Sequence, residues 1–119
     1  MKVIIAGDVP LLRSLVRMAV EEAGYDVIGE PETPDELLAM CSSHRVSIIV
    51  LDFMMTEGER MRIIEKILDI DAKISIIAVA DIVEDFGNQV LVAGARAYIQ
   101  KPFSMYDLLD MMRKVEPVL

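Results

Sequence analysis

The chain has 119 residues, 54% of them hydrophobic and 27% charged, with a formal net charge of −8. That length suffices for one core but not two, and that composition excludes a disordered chain. The acidic balance argues against nucleic-acid binding and for basic or metal-bearing partners, and the lone Cys41 excludes an internal disulfide framework.

No apolar run is long enough to span a bilayer, and Met1-Lys2 leads straight into a strand-like run, not a signal-peptide pattern. The expectation is a single domain over residues 1–119, cytoplasmic and without membrane contact. Apolar strand-like runs occur at 2–6, 26–30, 46–51, 73–79 and 97–100, with amphipathic stretches between them. This alternation predicts five βα units with right-handed crossovers, hence a parallel sheet covered by helices on both faces.

The first helix opens at Pro10, carries Leu12, Leu15, Val16, Ala19 and Ala23 at helical spacing, and stops at Gly24. Thr33-Pro34-Asp35-Glu36 reads as a capping box for a helix through Leu37, Leu38 and Cys41. Cys41 is expected in the core as a small hydrophobe, and His44 on the surface after that helix. Thr56, Glu57 and Glu59 read as the start of a third helix that presents Met61, Ile64, Ile67 and Leu68 on one face. A fourth, over roughly residues 84–93, carries Phe86, Val90 and Ala93; Gly87 inside it predicts the loosest of the helices. Ser104 to Asp107 caps the last, with Leu108, Leu109 and Met112 inward and Pro117 beyond its end.

The stretch Val46-Ser47-Ile48-Ile49-Val50-Leu51 reads as a strand buried on both faces, and it ends abruptly in Asp52. Asp8 follows another such run, and Lys101-Pro102 a third. Two carboxylates and an ammonium would then meet at the carboxyl edge of one sheet, where open α/β sheets bind ligands. From the residues alone, Asp52 as a simple turn cap and Asp8 as a helix cap stay open.

The whole pattern resembles the receiver domain of two-component response regulators. The marks are Asp8 with Pro10, the segment Leu51-Asp52-Phe53-Met54-Met55, the run Ala93-Gly94-Ala95, and Tyr98-Ile99-Gln100-Lys101-Pro102-Phe103. Asp52 also stands 44 residues after Asp8 and 49 before Lys101. The resemblance implies a flavodoxin-like (βα)5 fold with strand order 2-1-3-4-5. It further implies that Asp52 is the phosphoacceptor, and that Asp8, Asp52 and the Met54 backbone carbonyl hold Mg²⁺. Lys101 would bond first the acceptor carboxylate and then a phosphoryl oxygen, with Pro102 in cis aiming it. Tyr98 would be the aromatic switch. The implied partners are a sensor histidine kinase and a downstream protein docking on the helix 4, strand 5 and helix 5 face, where Gln89, Tyr98 and residues 107–113 stand. Such a domain is no independent enzyme; it catalyses only its own phosphoryl transfer and dephosphorylation.

Three positions depart from the family pattern. Gly7 stands where a second acid is usual, Thr56 where a proline is usual, and a gap-free count back from Lys101 puts Val79 where a switch Ser or Thr is expected. A one-residue slip would substitute Ala78 or Ala80, which also lack a hydroxyl. Two functions therefore stand side by side: a phosphorylation-dependent receiver, or a phosphorylation-independent pseudo-receiver acting as a protein-interaction module. An enzyme of the flavodoxin type is disfavoured, because Gly7-Asp8-Val9-Pro10 is acidic where a phosphate-binding turn should be rich in Ser, Thr and Gly.

Overall fold

The computed structural model describes residues 1–56, 60–81 and 87–117. Five strands, β1 (Lys2–Ala6), β2 (Asp26–Gly29), β3 (Ile48–Asp52), β4 (Ser75–Asp81) and β5 (Ala97–Lys101), form one parallel sheet in the order β2-β1-β3-β4-β5. The helices are α1 (Pro10–Glu22), α2 (Pro34–Ser43), α3 (Arg60–Ile70), α4 (Gly87–Ala93) and α5 (Met105–Lys114). The chain thus has the expected flavodoxin-like α/β fold.

Period-two alternation along the strands divides the core into two layers. Ile4, Ile49, Leu51, Ile76 and Ala78 face α2, α3 and α4, meeting Leu37, Cys41, Ile63, Ile64, Ile67 and Val90. Val3, Ile5, Val50, Ile77, Val79 and Ile99 face the other way, toward Val16 and Val20 of α1 and Leu108 and Met112 of α5. Cys41 lies in the first layer as expected, and burial pushes its thiol up to about 11. His44 is exposed.

The caps form as read, with one change of partner. Thr33 Oγ1 accepts from Glu36 N at 3.2 Å, while Glu36 Oε2 reaches back to Glu32 N at 3.3 Å, one residue before the cap. Ser104 Oγ accepts from Asp107 N at 3.0 Å. Gly24 and Gly94 adopt φ of +97° and +119°, the left-handed region that ends helices, and a Cβ on Gly94 would also collide with Leu68.

Four expectations need correction. β4 begins at Ser75, not at residue 73, because Asp71 Oδ1 accepts from Lys73 N at 2.9 Å and closes a turn there. Its far end extends to Asp81 because Lys101 pairs with it in register. Leu15 is 49% exposed on the outer side of α1; Val16 and Val20 are the residues that face inward. Thr56 does not open α3: it is fully buried at the end of a 3-10 turn, Phe53–Thr56, and its Oγ1 donates to Phe53 O at 2.8 Å. Glu57, Glu59 and Phe86 lie outside the described residues, and within them Gly87 is the first residue of α4.

Candidate functional site

β3 delivers Asp52 as its last residue, on the face shared with Val50. The carboxylate is nearly buried and bonded at both oxygens. Oδ1 accepts from the Met54 backbone N at 2.9 Å, and Oδ2 receives the Lys101 Nζ at 2.6 Å. Lys101 ends β5, two strands away, so its long side chain reaches across the end of β4. The residue beneath that reach is Val79, the register partner of Asp52. The Lys101–Pro102 peptide bond is cis.

That register supports the gap-free count of the sequence, since Val79, and not Ala78 or Ala80, stands beside Asp52 on the same face. Val79 is buried and brings no hydroxyl. Tyr98 pairs with Ala78 in register and packs, half-buried, against the α2–α3–α4 layer. Met54 is 48% exposed beside Asp52.

Asp8 follows β1 at the same sheet edge, and its side chain is exposed. It is not the cap of α1: the N-cap is Val9, with no side-chain cap bond. Gly7 is held at both backbone atoms, its N donating to Pro31 O at 3.3 Å and its O accepting from Arg13 Nη1 at 2.6 Å. It is not at positive φ, and a Cβ there would stand 3.4 Å from Arg13 Cγ and 3.6 Å from Asp52 Cβ. Neither backbone conformation nor steric exclusion demands glycine at this position.

Arg13 is the site neighbour that the sequence reading missed. It lines, with Gly7, Asp52, Val79 and Phe103, a cavity of about 20 Å³, room for about one water. Among the described residues, no three His, Cys, Asp or Glu side chains converge on a metal-sized site. A divalent cation at this edge would draw on the carboxylates of Asp8 and Asp52, the Met54 carbonyl and water. Such hard oxygen donors, few from the protein and the rest water, suit Mg²⁺.

A family model for the response regulator receiver domain matches residues 3–113. The chain is 28% identical over 119 residues to the chemotaxis protein CheY of Thermotoga maritima, covering 96% of both chains. It is 27% identical to the transcriptional regulatory protein PdtaR of Mycobacterium tuberculosis, where it spans 91% of its own length but only 53% of that regulator's. Among solved structures, a CheY-like receiver domain protein from Methanospirillum hungatei superposes with a TM-score of 0.84 at 26% identity, over 95% of this chain and 90% of that one. No helix among the described residues is long and apolar enough to cross a membrane. By this match over nearly its whole length, the chain belongs to the response regulator receiver domain family.

Proposed function

We propose that residues 1–119 form a single receiver domain that accepts a phosphoryl group on Asp52 from a sensor histidine kinase. Receiver domains work in two-component signalling and generally bind Mg²⁺ at their acidic pocket. The observation that carries the specific reading is the Lys101–Asp52 pair at 2.6 Å, with the other carboxylate oxygen aligned by the Met54 N–H. This arrangement keeps one carboxylate oriented at a sheet edge open to a donor.

In the proposed step, an Asp52 oxygen attacks the phosphorus, the bond from phosphorus to the donor's imidazole nitrogen breaks, and an acyl phosphate forms. Lys101 then moves from the carboxylate to a phosphoryl oxygen, a charge-assisted bond that offsets the added negative charge. Asp8, Asp52 and the Met54 carbonyl would hold Mg²⁺, which when bound supplies charge neutralisation for the incoming phosphoryl group. The Met54 side chain cannot hydrogen-bond and orient a water, so the acyl phosphate is slow to hydrolyse. The relay surface is the face of α4, β5 and α5, where Tyr106 of α5 is 86% exposed.

Incubation with a small phosphodonor and Mg²⁺, read by intact mass, tests this directly. One phosphoryl group is expected on the native chain and none on Asp52→Asn. No addition to the native chain would overturn the reading. The alternative, a phosphorylation-independent interaction module, is favoured by one observation: buried Val79 where a hydroxyl would sense the phosphoryl group.

A further inference from the structure

Arg13 is placed unlike an ordinary helix-surface arginine. Its side chain is only 11% exposed, and its stem runs beside the backbone of Gly7, 3.4 Å from where a side chain at that position would begin. Nη1 donates to the Gly7 carbonyl at 2.6 Å, and Nη2 pairs with Glu32 at 2.9 Å. Nε is buried without a hydrogen-bond partner; the nearest carboxylate oxygen, Glu30 Oε1, is 3.7 Å away. Glu30 gives its other oxygen to Arg17 Nη1 at 2.6 Å, and Arg17 pairs in addition with Glu21 at 2.8 Å. Glu32 is 58% exposed, and water screens much of its charge. The network of Arg13, Arg17, Glu21, Glu30 and Glu32 carries enough carboxylates to balance both guanidiniums, and Arg13 is its member bonded to Gly7, next to Asp8.

Resting on the reading of this edge as a metal-assisted phosphoacceptor site, we propose that Arg13 is a positioning residue with a standing electrostatic role there. It clamps Gly7, and with it the Asp8 loop, to the loop bearing Glu30 and Glu32. Its positive charge occupies the neighbourhood where a second acid at residue 7 would stand. The pocket is therefore set to hold Mg²⁺ weakly, both by an acid that is missing and by a cation that is present. A mere packing role for Arg13 leads to the opposite expectation, since loosening the Asp8 loop would weaken cation binding.

The test is a Mg²⁺ titration of the full chain without phosphodonor, followed through the amide signals of Asp8, Asp52 and Met54. Arg13→Met is expected to bind Mg²⁺ tighter, on the order of tenfold, and Arg13→Lys to stay near the native value. Glu32→Gln, on an exposed residue, frees more of the guanidinium charge and should weaken binding roughly twofold; it decides the matter if Arg13→Met does not fold. Unchanged or weaker binding in Arg13→Met, Arg13→Lys matching Arg13→Met, or no fall in Glu32→Gln overturns the proposal. Binding by Arg13→Met where the native chain shows none supports it; binding by neither overturns it. Because no phosphodonor is present, a failure here leaves Asp52 phosphorylation standing, and a failure of phosphorylation leaves this titration readable.

Discussion

The two edges of the sheet use their polar groups differently. At the amino edge they close on one another: Tyr25 Oη donates to Glu116 Oε1 at 2.7 Å, and Ser75 Oγ to Val115 O at 2.6 Å. Burial, and then the bond to Glu116, push the Tyr25 phenol up to about 12, so it stays neutral and keeps donating. At the carboxyl edge Asp8 is left exposed, and buried Asp52 is bonded, among the described residues, to the Met54 N–H and to Lys101, groups that a ligand could share or displace. One edge uses polar bonds to hold α5 onto the sheet; the other keeps its charges available.

The sharpest test of this contrast is Lys101→Met. Removing the ammonium takes away the donor that would bond the transferred phosphoryl oxygens, so phosphorylation by a small donor should slow on the order of a hundredfold. A rate close to native would break the assignment of the carboxyl edge. At the other edge, Ser75→Ala leaves the Val115 carbonyl without its donor and should cost about 1–2 kcal/mol in denaturant unfolding. Phosphorylation should proceed at the native rate in that variant; a matching loss of rate would mean that the edges are coupled.

The smallest expected effect is in Val79→Thr. A hydroxyl beside Asp52, at the small cavity both residues line, should cost about 1 kcal/mol of stability. In the native chain, beryllofluoride is expected to shift amide signals only near Asp52 and Lys101, because a ligand moves an equilibrium only through its differential contacts. In Val79→Thr the response should spread to α4 and Tyr98. Native shifts that already reach α4 would show that Lys101 alone transmits the signal.

The site was legible where it follows from strand ends. Asp8, Asp52 and Lys101 each follow an apolar run, and parallel strands carry their last residues to the same edge, so their meeting there follows from pattern; the Lys101–Asp52 bond itself was what the family resemblance implied. The gap-free placement of Val79 agrees with the register. Reading failed where side-chain geometry overrode local pattern: Asp71 captured a backbone N–H and shortened β4 at its start, and Thr56 turned its hydroxyl to Phe53 instead of opening a helix. Leu15 matched helical spacing yet stayed outside, because the α1 stripe that meets the sheet centres on Val16 and Val20.

The order of strands and helices, the caps at Thr33 and Ser104 and the three charged strand ends were determined by the sequence itself, because period, capping and strand termination are local properties. The surroundings of Arg13 were not. An arginine four residues into an amphipathic helix reads as a solvated charge. It becomes a buried clamp only when β1 and β2 lie side by side and bring the Gly7 carbonyl, Glu30 and Glu32 around it. Those partners come from other elements, and which atoms close around one cation is decided by tertiary packing.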